Sequence, residues 1–143
     1  IAPGDLVSMV ADYGVIRSTA DDGDIVVGVV VSCFDSNGAV LRWLPASTAG
    51  KVLVACATEG AVFTAQDNAA AALSVADIGQ TTNHVDGAVN TFTGRSTQEL
   101  NGTVGGNQLR LLGKVDDPNN AYGNNCLWKC TFVESIFMNN TAI

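Results

Sequence analysis

The sequence predicts an all-β fold, a β-sandwich or β-barrel of antiparallel strands with at most one short helix, in a single domain spanning residues 1–143. Residues 25–31 are rich in β-branched side chains and apolar on both alternating faces, which is typical of a strand covered on both sides. Further short apolar runs recur between clusters of Gly, Asn and Asp, as expected of strands joined by turns. A chain of this length can bury roughly two-thirds of its unfolded surface, enough for a core without metal or disulfide support.

Residues 24–44 predict a β-hairpin around which the other strands are arranged. Its first arm is residues 25–31, and its second arm, residues 39–44, places Trp43 on the inner face. Asn37 and Gly38 stand between the arms and tolerate the positive φ values of a tight turn. A strand covered on both sides needs another layer of structure, so this hairpin favours a sandwich or barrel.

Earlier and later segments predict further turns and strands. Residues 5–17 read as two short strands around a turn at residues 12–14, and residues 21–24 form an acidic turn. That turn departs from the spacing of a calcium-binding loop, so solvation explains its carboxylates better than a metal does. Residues 51–57 and 61–66 predict a second hairpin.

The second half of the chain contains the one candidate helix and two stronger strands. Residues 67–79 allow one or two helical turns, with a capping-box-like start at Ser74. Residues 80–106 are polar and predict short strands and loops. Residues 108–115 and 126–137 predict strands, and the inner face of the last one, which includes Trp128, should pack on the central hairpin.

The composition limits the classes of partner. Net charge is −7 and the pI is near 4.3, which argues against binding nucleic acid or an anionic membrane, since attraction to phosphate is largely electrostatic. No run of about 18 apolar residues predicts a transmembrane helix, and the first residues lack a signal-peptide pattern. Only 15% of residues are charged, which leaves little surface charge to oppose association and indicates a partner or an oligomer.

Four cysteines are best interpreted as free, buried thiols, because cysteine behaves as a small apolar residue. They stand at Cys33, Cys56, Cys126 and Cys130. A zinc site is disfavoured because no Cys-x₂-Cys pair exists and the one histidine, His84, has no companion. A secreted, disulfide-bonded adhesion domain remains an alternative that thiol titration would decide.

No arrangement of residues predicts catalysis, a cofactor or a metal. No nucleophile stands with a base, no GxSxG is present, and the carboxylates fall in turns. His84 is interpreted as a surface or hydrogen-bonded structural residue, and Arg95 with Glu99 as a structural ion pair. The sequence therefore predicts a protein that is not an enzyme.

Several short motifs, taken in their order and spacing, carry a family resemblance. They are V-F-x-x-Q at Val62–Gln66, A-D-I-G at 76–79, T-G-x-S at 93–96, L-R-L-L-G at 109–113 and D-P-x-N at 117–120. Together they resemble capsid decoration, or cement, proteins of tailed bacteriophages, over almost the whole chain. The CLWKC run at 126–130 and the tail FMNNTAI at 137–143 depart from that pattern.

The resemblance implies a non-enzymatic virion protein made in the host cytoplasm. It implies binding to the major capsid protein on the outside of the icosahedral shell, as a homotrimer that stabilises junctions between capsomers. The alternative is a receptor- or glycan-binding virion module, because β-sandwiches also carry carbohydrate sites. Sugar binding needs exposed aromatic side chains, whereas Trp43 and Trp128 are predicted to face inward.

Both chain ends are predicted to contact partners. At the start no polar group is expected to anchor Ile1, Ala2 and Pro3, and at the end the apolar run of Ile136, Phe137 and Met138 continues beyond the usual end of the resembling proteins. Folding back on the domain's own core is the alternative. Because the chain begins with Ile rather than Met, we also expect a preceding segment to have been processed or trimmed.

Overall fold

The structure, a computed structural model, describes residues 1–10, 14–19 and 25–138, and this part of the chain is almost entirely β. It contains β1 (Leu6–Met9), β2 (Val15–Arg17), β3 (Val26–Asp35), β4 (Val40–Leu41), β5 (Gly50–Cys56), β6 (Val62–Gln66), β7 (Thr81–Thr82), β8 (His84–Val85), β9 (Glu99–Leu100), β10 (Leu109–Lys114), β11 (Leu127–Phe132) and a 3₁₀ turn (Val75–Asp77). The predicted acidic turn at 21–24, and most of the turn at 12–14, lie outside the described residues.

The strands form two antiparallel sheets and one two-stranded ribbon. In the first sheet β3 is central: β1 and β4 pair along one edge, β5 pairs along the other, and β2 adds outside β1. The second sheet has the order β6-β11-β10-β7, and β8 pairs with β9. The long β3 therefore has the role that the sequence predicts for the central hairpin.

A common core lies between the two sheets. Leu6 and Val26 from the first sheet are buried in one cluster with Leu111, Trp128 and Phe132 from the second. The inner face of β11 thus packs against β3, as predicted. This face-to-face arrangement of antiparallel sheets confirms the predicted all-β, sandwich-like fold.

A second core covers the opposite face of the first sheet. It contains Val7, Val27, Val30, Cys33 and Leu44, with Ile1, Val15, Leu41, Val52 and Val54 packed around them. Since β3 contributes to both cores, it is apolar on both faces, which explains the valines on either side of Gly28.

The central hairpin is confirmed, but its second arm is shorter than predicted. Cys33 pairs with Leu41 in β4, and the strand ends at that residue, so Trp43 lies in a bend and not on the inner face of a strand. The reason is a competing partner: Leu44 exchanges two backbone hydrogen bonds with Ile1, at 2.7 and 2.8 Å, which draws the chain away from β3.

The second predicted hairpin is wrong, although both of its strands exist. β5 pairs with β3 from Gly28 to Asp35, and β6 pairs with β11, so the two strands belong to different sheets. The connecting residues cross between the sheets at Ala57, which is fully buried and donates to the Val27 carbonyl.

The remaining predictions of secondary structure agree with the structure except for the end of the last strand. Ser74 caps the 3₁₀ turn and forms the capping box with Asp77, and Gly79 follows in a left-handed conformation with φ of +87°. Residues 80–106 contain the short strands β7 to β9, as predicted. The strand predicted over residues 126–137 ends earlier, at Phe132.

Candidate association surface

Phe92 is the most exposed large apolar side chain among the described residues, with 88% of its surface accessible. It stands at the tip of a tight turn, residues 90–95. The Asn90 side-chain oxygen accepts from the Phe92 and Thr93 amides, both at 3.1 Å, and the Asn90 backbone bonds to Arg95 and Gly94. An Asx turn closed in this way holds its backbone without a covering layer.

Arg42 fixes the same turn from outside. Its Nη1 donates to the Phe92 carbonyl oxygen at 3.0 Å, across fifty residues of sequence. The Arg42 stem lies against Gly94, where an added Cβ would fall 1.9 Å from the Arg42 Cγ, and Gly94 has φ of +70°. Glycine is therefore required here both for its conformation and for space. These contacts hold the backbone of the turn in one conformation, and the Phe92 side chain projects from it into solvent.

A groove of about 910 Å³ opens beside this turn, on the outer face of the first sheet. Apolar side chains of the second core make much of its wall, and Trp43, half-buried, forms one side. Arg17 and Lys51 stand among its lining residues. A concave, mostly apolar surface with a few polar groups is the usual form of a binding site.

The turn and the groove lie at one corner of the molecule. Val89 lines the groove and immediately precedes the turn, while Trp43 lines it and immediately follows Arg42, which is bonded to Phe92. An exposed aromatic side chain and an open apolar groove therefore stand next to each other. We call this pair the Phe92–groove corner.

A partly buried ion pair between Asp5 and Arg17 lies beside the groove, where Arg17 is a lining residue. Asp5 has no exposed surface, and its Oδ2 accepts from the Ala2 amide at 2.8 Å and lies 3.1 Å from Arg17 Nε. Arg17 Nη1 also lies 3.0 Å from Asp86. One guanidinium thus joins the N-terminal segment, β2 and the loop after β8.

His84 is a buried structural residue, which confirms the hydrogen-bonded one of its two interpretations. Its Nδ1 lies 2.8 Å from Gln108 Oε1 and its Nε2 lies 3.3 Å from the Ser18 carbonyl oxygen. Both ring nitrogens are therefore engaged by protein groups. No group of three His, Cys, Asp or Glu side chains in the described ranges is arranged to hold a metal ion.

The first residues are anchored to their own domain, so the expectation that they lack a polar anchor is wrong. Ile1 bonds to Leu44, Ala2 is fully buried, and the Pro3 carbonyl accepts from the Ser96 amide at 3.0 Å. Ile1 and Pro3 remain partly exposed. Any partner contact here involves those two side chains and not Ala2.

The residues after β11 divide into anchored and exposed groups. The Ile136 amide donates to the Val26 carbonyl at 3.0 Å, and Met138 packs against the main core. The Ile136 and Phe137 side chains are 41% and 47% exposed. Folding back thus accounts for Met138, whereas Ile136 and Phe137 present apolar surface to solvent.

All four cysteines lie in the described part of the chain and are free, as predicted, but one of them is not buried. Cys56 is exposed because it ends β5 outside both cores. Burial raises the pKa of Cys33 and Cys126, and raises that of Cys130 to about 12. The predicted ion pair of Arg95 with Glu99 is absent from the described residues.

Comparisons with protein-family models, with curated proteins and with solved structures found no match to this chain. The resemblance to phage decoration proteins therefore stays a prediction from the sequence. In the described part of the chain, no helix has the length and apolar character to cross a membrane.

Sequence reasoning missed the Phe92–groove corner. In the sequence, Phe92 falls within the polar segment 80–106, and the strand pattern of residues 39–44 predicts that Trp43 faces inward. The available signal was Asn90 followed at short range by Gly94, a combination that predicts a turn and therefore an exposed Phe92. The groove had no local signal, because distant segments form it.

Proposed function

We propose that this protein is a non-enzymatic decoration, or cement, protein of a tailed-bacteriophage capsid. It binds the major capsid protein on the outside of the shell as a homotrimer and stabilises the junctions between capsomers. The motif resemblance supplies this identity, and the structure contributes a surface suited to association. The observation that carries the proposal is Phe92, a large aromatic side chain held almost fully exposed on a hydrogen-bonded turn.

Physical reasoning favours association as the role of such a side chain. Aromatic residues dominate the binding energy of protein interfaces, and a contact that is rigid before binding loses less entropy on association. The outward Ile136 and Phe137 side chains add a second exposed apolar site. A chain with only 15% charged residues also meets little electrostatic opposition at such contacts.

Cosedimentation with capsids that lack the protein tests the proposal. We expect saturable binding, with a copy number by gel densitometry that matches a class of symmetry-related sites. Capsids should then resist heat or low ionic strength better than undecorated ones. Absence of saturable binding would refute the capsid role.

The second candidate is a glycan- or receptor-binding module, and the position of Trp43 favours it. An indole ring on the side of an open groove can stack on a sugar ring, whereas an indole in a core cannot. Titration of the protein with neutral and acidic oligosaccharides, followed by tryptophan fluorescence, tests this role. A saturable change that Trp43→Ala abolishes would support it, and no change with either class would exclude it for those sugars.

A further inference from the structure

We propose that Asn37 is a site of spontaneous covalent modification, at which the side-chain amide is lost and aspartate or isoaspartate takes its place. This reaction depends neither on capsid binding nor on self-association. The sequence offers two candidates, since the pair Asn-Gly occurs at residues 37–38 and again at residues 101–102. The fold places these two pairs in different surroundings, and those surroundings assign the reaction to the first pair.

The reaction needs an asparagine amide next to an unhindered backbone nitrogen, and water is its only co-reactant. The Gly38 nitrogen loses its proton to solvent base and bonds to Asn37 Cγ, while the Asn37 side-chain nitrogen leaves as ammonia. Water then opens the resulting five-membered imide ring at one of its two carbonyls, which gives aspartate or the β-linked isoaspartate. Glycine favours the attack because it has no Cβ beside the nitrogen and leaves the backbone free to close the ring. Asparagine is accordingly among the thermolabile residues of proteins.

Asn37 and Gly38 lie at the exposed end of the turn between β3 and β4. Within the described part of the chain, the Asn37 side chain has no hydrogen-bond partner. Gly38 has φ of +91°, and no atom lies within 4 Å of the position that its Cβ would take. The side-chain amide can therefore rotate towards the Gly38 nitrogen without breaking a hydrogen bond of its own or displacing a neighbour.

One backbone hydrogen bond opposes the attack at this turn. The Gly38 amide donates to the Asp35 carbonyl at 3.1 Å, and this bond must open before the nitrogen can react. The Asp35 side chain also accepts from the Asn37 and Ala39 amides, at 2.9 and 2.8 Å, and both of these bonds are exposed. Local opening of an exposed turn costs little free energy, so folding should slow the reaction only modestly here.

The second Asn-Gly pair is held by more contacts. The Asn101 side-chain oxygen accepts from the Thr103 amide at 3.0 Å, and the Gly102 amide donates to the Asn68 side-chain oxygen at 2.9 Å. A Cβ added to Gly102 would lie 1.7 Å from the Ala71 carbonyl oxygen, so this backbone is closely packed. Attack at Asn101 therefore requires one more hydrogen bond to break than at Asn37, and it requires a packed segment to move.

Mass spectrometry of tryptic peptides measures both sites in one sample. Cleavage after Lys and Arg places Asn37 in the peptide of residues 18–42, where it is the one amide side chain, and Asn101 in the peptide of residues 96–110. Conversion of the amide to an acid raises the peptide mass by about one dalton, and fragmentation locates the converted residue. In the folded protein at pH 8, conversion at Asn37 should be faster than at Asn101 by roughly tenfold or more, the effect of an additional hydrogen bond and its packing. An equal or faster rate at Asn101 would overturn the inference.

The same measurement on the unfolded chain shows whether the fold causes the difference. In concentrated urea both pairs lose their contacts, so the two rates should become similar, with the larger acceleration at Asn101. A preference for Asn37 that persists undiminished in urea would mean that the neighbouring sequence sets the rates, and it would overturn the structural assignment.

Asn37→Gln is the matched control for the site and for the route. Its side chain keeps an amide but must close a larger ring, so the peptide of residues 18–42 should stay unmodified while Asn101 keeps its rate. A mass gain of that peptide in the variant would overturn the assignment to Asn37. Enzymatic methylation of isoaspartate tests the ring, because isoaspartate at position 37 forms only by opening of the imide. Conversion of Asn37 to aspartate alone would overturn the attack by Gly38.

Discussion

Arg17 Nε lies 3.1 Å from the carboxylate of Asp5, a side chain with no exposed surface. A buried carboxylate that loses its cation, or a buried cation that loses its carboxylate, leaves an uncompensated charge. Asp5 also accepts a hydrogen bond from the Ala2 amide, so the pair connects the N-terminal segment to β2. The contribution of this pair to the free energy of unfolding can be compared with that of the exposed pair of Asp116 with Lys129.

Asp5→Ala should lower the free energy of unfolding by about 1–3 kcal/mol, because it leaves the Ala2 amide without its acceptor and leaves Arg17 with Asp86 as its remaining carboxylate partner. Urea denaturation measures this difference. Asp116→Asn is the control: Asp116 pairs with Lys129 at 3.1 Å on the surface, and solvent screens that contact, so the midpoint should not move. Equal effects of the two substitutions would show that the Asp5 contact is as solvent-exposed as the other.

Gly94→Ala should destabilise the protein by about 2–3 kcal/mol. Part of the cost is the positive φ, about 1–2 kcal/mol for a residue with a Cβ, and the rest is displacement of the Arg42 stem from its bond to Phe92. Gly79→Ala provides the matched comparison, because φ there is +87° but no atom lies within 4 Å of the added Cβ. Thermal or urea unfolding should show the smaller loss for Gly79→Ala, and an equal loss would contradict the role assigned to Arg42.

Stability should fall as the pH rises above 9 because of Cys130. Its pKa is raised from 9.0 to about 12 by burial, so between these values the unfolded chain loses a proton that the folded chain keeps. Ionisation then favours the unfolded state, by on the order of 1 kcal/mol at pH 10. Urea unfolding at pH 8 and pH 10 should show a smaller loss for Cys130→Ala than for the intact protein. The same loss in both proteins would contradict the raised pKa.

Substitutions of Met138 and Phe137 should differ in their effect on the free energy of unfolding. Met138→Ala should lower the free energy of unfolding by roughly 1–2 kcal/mol, because the Met138 side chain packs on the main core. Phe137→Ser should change it by less than about 0.5 kcal/mol, since that ring is 47% exposed. If Phe137 contacts a partner, its substitution should instead weaken capsid binding in cosedimentation. A large loss of stability for Phe137→Ser would assign the ring to the domain's own packing.

The alternation of apolar residues, the β-branched runs and the turn residues determined where most strands and turns lie. β3, β10 and β11 follow directly from their patterns, and Ser74 with Asp77 determined the 3₁₀ turn at Val75–Asp77. These signals are local: a side-chain period of two, a capping hydrogen bond and a positive φ each depend on residues close in sequence.

Tertiary structure alone decided which strands pair and which surfaces remain open. β5 and β6 are joined by a short turn, yet each forms its ladder with a distant strand, because burial of both faces of β3 and of the inner face of β11 outweighs a local hairpin. Leu44 forms its backbone hydrogen bonds with Ile1 and not with β3, and this pairing places Trp43 at the groove. A groove built from segments so far apart in sequence has no pattern within any one of them, since its walls exist only after the long-range contacts have formed.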